Sequence, residues 1–354
     1  MSGGISRTYT GYVPSLITTN PFLNVNSVIV FTIKRHFHRY HNVFRRIILT
    51  VALSVFAIIG VKAQYDVPFS HYWDMETYFN PAAAGKDAVL NVSAAYALNF
   101  VGFENNPRSM YIGGDLPFYA LNSYHGVGLS LLNDQIGLFT HQRLSGMYAW
   151  KRKMFGGTLS IGVQAGLLME NFDGSKVDLE DTGDPVFSSS EQKGQTLDLS
   201  AGLYFKRGQW YVGASVQHVT APLVEMGETN EIQVDRTYYL TGGYNIKLRN
   251  PFLTIHPTFL VRSDFVTYRG DITARLEYTH DNKHMYLGVG YSPTNSVTAY
   301  IGGRFHDINV GYSYEFYTNG ISIGNGSHEL FVSYQTDINL VKKGKNKHKS
   351  VRIL

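Results

Sequence analysis

The pair of runs from Val297 to Phe316 constrains this chain more than any other stretch. Val297, Ala299, Ile301, Gly303 and Phe305 alternate with Thr298, Tyr300, Gly302 and Arg304. After His306 and Asp307, Ile308, Val310, Tyr312, Tyr314 and Phe316 alternate with Asn309, Gly311, Ser313 and Glu315. Period-two alternation places one set on an apolar face and the other on a polar face. A two-residue connection makes the pair an antiparallel hairpin. Each run matches the roughly 9–11 residues that a tilted strand needs to cross a bilayer. A soluble sheet alternates in the same way, so what matters is whether the rest of the chain repeats the unit.

It does. Strands are predicted near 91–98, 109–115, 125–132, 142–148, 157–170, 196–205, 210–219, 236–246, 254–264, 270–278, 285–292, 297–305, 308–316 and 327–335. That is about 14 strands, with a range of about 12–16 because boundaries read from sequence drift. Leu159, Ile161, Val163, Ala165 and Leu167 face away from Ser160, Gly162, Gln164 and Gly166. Leu197, Leu199, Ala201, Leu203 and Phe205 oppose Asp198, Ser200, Gly202 and Tyr204. No comparable segment has the i, i+3, i+4 spacing of an amphipathic helix. With the N-terminus periplasmic, the outer loops come to about 10, 9, 25, 16, 5, 4 and 10 residues and the inner turns to about 9, 8, 4, 7, 6 and 2, the asymmetry of an outer-membrane barrel. In lipid every backbone N–H and C=O must be paired within the protein, so a spanning sheet has to close and abolish its edges. The alternative is a soluble β-sandwich, which would need no export signal and rarely sustains so many strands.

The 354 residues include 25 Tyr, 21 Phe and 35 Gly but no Cys, which excludes thiol catalysis, thiolate metal sites and disulfides. The start of the chain reads as an address. Arg45 and Arg46 precede an apolar run from Ile47 to Val61, too short to span as a helix, so 45–63 is expected to be a signal peptide cleaved near Ala63-Gln64. Residues 1–44 lie upstream of any ordinary signal and read as an over-extended or unstructured leader. His36, His38 and His41 within it are assigned to that leader rather than to a metal site. The first 63 residues hold seven Lys/Arg and no acid, and the last 14 hold six more bases, leaving 18 bases against 27 acids in 64–340. The basic character belongs to the two ends, which argues against nucleic acid.

Little else points to chemistry. Asp173, Asp178, Glu180, Asp181 and Asp184 crowd the longest outer loop without the spacing of a calcium loop, so they are read as a candidate partner-contact loop, together with 220–235. The basic tail 341–354, with Lys342, Lys343, Lys345, Lys347 and Lys349, is either a solvated end or a periplasmic contact for an acidic partner. No G-x-S-x-G elbow, Walker A segment, dinucleotide fingerprint or H-E-x-x-H occurs, and His218, His256, His306 and His328 are expected in the lumen or in turns. No catalytic residue, cofactor or metal is assigned, and the protein is expected not to be an enzyme. The apolar, turn-forming 68–85 segment is suited to plug or cap the lumen from the periplasmic side, or simply to pack on the rim.

Tyr78-Phe79-Asn80-Pro81-Ala82, ending at Ala84-Gly85, resembles the opening of the PorP/SprF family of outer-membrane proteins of the Bacteroidetes type IX secretion and gliding machinery. Gln64-Tyr65-Asp66, Phe69-Ser70 and Tyr72 before it look like the same family's entry. The match continues through Gly126-Val127-Gly128-Leu129 and Gly156-Gly157-Thr158-Leu159-Ser160, and Ile308-Asn309-Val310-Gly311-Tyr312 and Ser327-His328-Glu329-Leu330 are similar to the family's closing hairpins. The resemblance covers roughly 64–340 and is most specific at the opening motif, so Tyr78, Phe79, Asn80, Pro81, Ala82 and Gly85 are its candidate site residues. It implies no catalytic residues, and partners among the secretion or gliding proteins and a secreted surface protein. The chain ends on a basic tail rather than on a strand-closing aromatic residue.

These observations give an all-β reading. A 64–85 N-terminal periplasmic segment precedes an 86–340 antiparallel transmembrane β-barrel in the outer membrane. The expected role is to anchor periplasmic machinery and to support export or surface attachment of a secreted protein. The alternative is a passive porin or hydrophobic-solute channel.

Overall fold

The computed structural model describes residues 66–174, 191–227, 230–281, 283–319 and 326–338. Its strands are β1 (Val89–Leu98), β2 (Arg108–Ala120), β3 (Ser123–Ile136), β4 (Phe139–Met154), β5 (Gly157–Asp173), β6 (Glu191–Arg207), β7 (Trp210–Gln217), β8 (Leu223–Met226), β9 (Asn230–Gln233), β10 (Thr237–Tyr244), β11 (Ile246–Lys247), β12 (Leu253–Ser263), β13 (Tyr268–His280), β14 (Lys283–Ser292), β15 (Ser296–Phe305), β16 (Ile308–Tyr317) and β17 (Ser327–Asp337). The main sheet has 15 strands, all antiparallel, and β11 only flanks β12 over two residues, so 14 strands build the wall. β1 pairs with β17 and β10 with β12, which closes the wall into a barrel without a free edge. Each of the segments predicted from alternation is one of these wall strands.

Burial shows which way the barrel faces. Ser93, Ser145, Gln164, Ser200, Thr273 and Ser313 are buried, while Leu129, Leu197, Leu287, Val289 and Ile301 are exposed. A soluble sandwich buries the opposite set; this pattern suits a polar interior and a lipid-facing exterior.

The connections differ from the expected lengths in an informative way. At the end where β1 begins, 121–122, 155–156, 208–209 and 306–307 are two-residue turns. Leu121 and Asn122 (φ 48° and 57°) and Phe155 and Gly156 (φ 52° and 73°) take the left-handed conformations that tight hairpins need. The expected inner turns were longer because ladder bonds continue into polar rows such as Lys151 to Lys153, where hydrophobic alternation has already stopped. By the rule that barrels keep short turns on the periplasmic side, this end faces the periplasm.

The wall is uneven in height. β14, β15 and β16 have 10 residues each, enough to cross the bilayer, whereas β5 and β6 have 17. The extra turns of ladder carry β5 and β6 past the outer rim. There the β8–β9 hairpin packs Val224, Met226 and Val234 against Leu168, with Phe172 and Ile232 alongside. Asn230 Nδ2 donates to Gln192 Oε1 at 2.8 Å, tying the hairpin to the top of β6. From sequence this stretch reads as loop, because four-residue strands are too short to show a period.

Candidate functional site: the filled lumen

Residues 66–85 lie inside the barrel. Val67, Phe69, Tyr72, Trp73, Met75, Tyr78 and Phe79 form one buried apolar cluster with Tyr111 of β2, Tyr239 of β10, Leu260 of β12, Tyr286 of β14, Tyr300 of β15 and Phe331 of β17. Those wall residues run from β10 through β12, β14, β15 and β17 to β2, and residues 78–84 meet β4 to β7 on the other side, so the segment fills the lumen from side to side. Aromatic pairs meet edge-on within it, as Phe69 and Tyr78 do at 5.2 Å and Tyr78 and Phe79 at 4.7 Å. The Arg143 guanidinium sits 5.2 Å from the Tyr78 ring and that of Arg275 4.3 Å from the Trp73 ring, so aromatic faces of the plug cover two wall cations.

The motif residues lie along the inner wall as a track. A single helical turn, Glu76–Phe79, leads into Asn80 and the 3-10 turn Pro81–Ala83. Asn80 is extended (φ −143°, ψ 110°), as a residue before proline should be, and its Oδ1 accepts the Ala82 N–H at 2.9 Å. Its Nδ2 donates to the carbonyls of Leu203 and Ala214 at 2.9 and 3.4 Å, so one amide joins the plug to β6 and β7. Ser215 Oγ donates to the Phe79 carbonyl at 2.6 Å and Gln217 Nε2 to that of Tyr78 at 2.5 Å. Lys151 Nζ donates to the Ala84 carbonyl at 2.5 Å, and the Gly85 N–H donates to Asp115 Oδ2 at 2.7 Å. Buried backbone groups that leave water need such partners, and here wall side chains supply them.

Glycines make the room for this track. A Cβ on Gly202 would collide with the Asn80 side chain, one on Gly162 with the Ala82 backbone, and one on Gly126 with the Ala84 carbonyl. Gly85 itself adopts φ 60° against the backbone of Leu116 and Pro117. The first expected result follows: Gly162→Leu displaces the Asn80–Gly85 track, because overpacking of a filled interior costs about 1–3 kcal/mol or more. Backbone hydrogen exchange across 76–85 is the readout, and exchange as slow as in the parent would refute the close fit.

Two polar anchors hold the upper part of the segment. Glu329 of β17 accepts the Ser70 N–H at 2.6 Å, the His71 N–H at 2.9 Å and contacts His71 Nδ1 at 2.7 Å, while the His71 ring stacks on Phe331 at 5.3 Å. Asp66 accepts the Tyr239 hydroxyl at 2.6 Å, meets His218 Nε2 at 3.2 Å and lies 3.8 Å from Arg143 Nη1. Burial would raise the Asp66 carboxyl, but attraction to His218 and Arg143 and the Tyr239 hydrogen bond outweigh it and hold it below the ordinary carboxylate range. Burial likewise opposes a charge on His218, just past the end of β7, yet Asp66 and Asp198 raise it to about 9.

Of the residues singled out from sequence, Tyr78, Phe79, Asn80, Pro81, Ala82 and Gly85 all meet at this site. Asp173 ends β5 at the outer rim; Asp178, Glu180, Asp181, Asp184 and the tail lysines Lys342, Lys343, Lys345, Lys347 and Lys349 lie outside the described residues. His256 points into the barrel and meets Glu277 at 3.0 Å, and His306 is in a turn at φ 56°. His328 departs from expectation. It lies on the outward face of β17, 2.6 Å from the Tyr312 hydroxyl, because inward positions of that strand are the odd-numbered ones that carry Glu329 and Phe331. Asp66, His71 and Glu329 are not legible as anchors in the sequence, since partners 152 positions apart for Asp66 and His218 and 258 for His71 and Glu329 leave no local pattern.

The fold and the site together define an outer-membrane β-barrel whose lumen is occupied by its own N-terminal segment. The chain belongs to the PorP/SprF family, described as type IX secretion system membrane proteins, which matches residues 61–334. No curated protein matches it. Among solved structures it is similar to a Pseudomonas aeruginosa FadL homologue (13% identity, 73% of this chain and 93% of that chain, TM-score 0.45). It is also similar to the CymD monoaromatic hydrocarbon channel (10% identity, 79% and 95%, TM-score 0.46). At these scores the likeness says nothing about what this lumen handles.

Proposed function

We propose that this PorP/SprF protein works at its two faces rather than through its lumen. It is a non-enzymatic anchor that holds periplasmic parts of the type IX secretion or gliding machinery to the outer membrane and supports export or surface attachment of a secreted protein. The observation that carries this reading is the occupied lumen. A conduit needs an open polar path, whereas wall-to-wall aromatic packing suits a rigid stud with two contact surfaces. On the outer side, β5 and β6 run beyond the 10-residue strands and carry the β8–β9 hairpin, and binding function concentrates on such projecting elements. The test is the surface and culture-fluid proteome of a strain lacking the gene, against its parent. One or a few surface proteins are expected to vanish while other exports persist. Changed solute uptake with all surface proteins retained would overturn the proposal and favour a channel.

A further inference from the structure

The lipid-facing wall carries a hollow of about 780 Å³ across β2 to β5. Gly114, Gly146 and Ala165 lie on its floor, and Leu116, Leu129 and Tyr148 are among its sides. Gly126, Gly162 and Gly202 on the barrel interior are explained by the plug they accommodate; Gly114 and Gly146 are not. A Cβ at either would meet nothing nearer than 3.5 Å and 3.7 Å respectively, ordinary van der Waals contact. The chain's own packing therefore does not require the hollow. Its borders face the hydrocarbon, with Leu129 69% and Val163 53% exposed.

Below the hollow the outward positions of β4 continue as Tyr148, Trp150 and Arg152, and those of β6 as Leu203, Phe205 and Arg207. Arg152 and Arg207 are exposed. Neither side chain has a hydrogen-bond or ion-pair partner among the described residues. The Arg207 guanidinium lies over Gly156, in the turn that joins β4 to β5. Both cations thus sit at the periplasmic rim of the same wall. Gly146 and Arg152 are separated by roughly 20 Å of strand at about 3.3 Å per residue, or roughly 15 Å along the bilayer normal at a tilt of about 40°. That is half of a hydrocarbon core of about 30 Å, the depth of one leaflet.

We propose that this face is a specific site for one inner-leaflet phospholipid, with an acyl chain in the hollow and the phosphate at Arg152 and Arg207. Apolar shape fixes the chain, and the guanidinium forks suit phosphate oxygens. Lipid bound here would buttress the wall behind β3 to β5, the strands on whose inner side Ala82 and Ala84 rest.

Native mass spectrometry of the full chain, extracted in mild detergent and then titrated with phosphatidylethanolamine or phosphatidylglycerol, tests the site. The parent is expected to retain one phospholipid per chain. Gly146→Leu fills the hollow and should lower retention about tenfold, as exclusion of roughly two methylenes implies. Arg152→Gln with Arg207→Gln should lower it to a similar degree while folding, read from heat-modifiable gel migration, is unchanged. Gly114→Leu serves in place of Gly146→Leu if the latter fails to fold. A parent that keeps no lipid, equal retention in the filled variants, or a mass showing a second copy of the chain in place of lipid would each overturn the proposal.

Discussion

Deleting residues 66–85 opens the barrel. In planar bilayers the full chain should pass little current and the shortened chain about tenfold more or beyond, since side chains alone fill a barrel only up to about eight strands. The wall has 14 strands, so its lumen depends on an inserted segment for closure. The barrel itself should survive, because the ladder from β1 round to β17 is continuous without the plug. Loss of the plug exposes polar groups that water can satisfy in an open lumen, among them Ser215, Gln217 and Lys151, which now bind plug carbonyls. Equal conductance before and after deletion would mean that some other element closes the path, and the proposed anchor role would lose its main support.

Glu329→Ala should loosen the plug without removing it. The carboxylate takes two backbone N–H groups and the ring of His71 in a fully buried place, with His71 0% and Glu329 3% exposed. Removing one partner of such a set costs about 3–5 kcal/mol, because the other donors stay buried without an acceptor. Opening of the segment would become at least about a hundredfold more frequent, at roughly 1.4 kcal/mol for each tenfold. Hydrogen exchange at 68–85 would report it, and intermittent conductance should appear in the same variant. Glu329→Gln keeps an acceptor of the same shape and should fall between the two. Exchange confined to residues 70 and 71 would show instead that each part of the plug is held independently, with the Asn80 track indifferent to Glu329.

Much of the wall was legible in local pattern. A strand in lipid must place apolar groups on one side at every second residue, so β5, β6, β15 and β16 declare themselves through Leu159 to Leu167, Leu197 to Phe205 and Val297 to Phe316. Their number and the even count then imply closure, because an open edge in hydrocarbon leaves backbone groups unpaired. The opening motif was also legible, but only as a resemblance. Nothing in Asn80-Pro81 by itself says that the amide reaches Leu203 and Ala214.

The inner face told less. Gly126, Gly162 and Gly202 look in sequence like Gly114 and Gly146, small residues in alternating strands, yet the first three lie under the plug and the last two face lipid. Alternation assigns the side, while the contact that each side makes depends on what enters the lumen. The sequence alone determined the strands, their antiparallel order and their closure, since these follow from the two-residue period and from pairing between neighbours along the chain. Only the tertiary structure decided that Asp66 to Gly85 fill the barrel, because that packing joins Asp66 to His218, His71 to Glu329 and Asn80 to Ala214. Such long-range contacts become possible only after the wall has curved back on itself, and no local period in the chain records them.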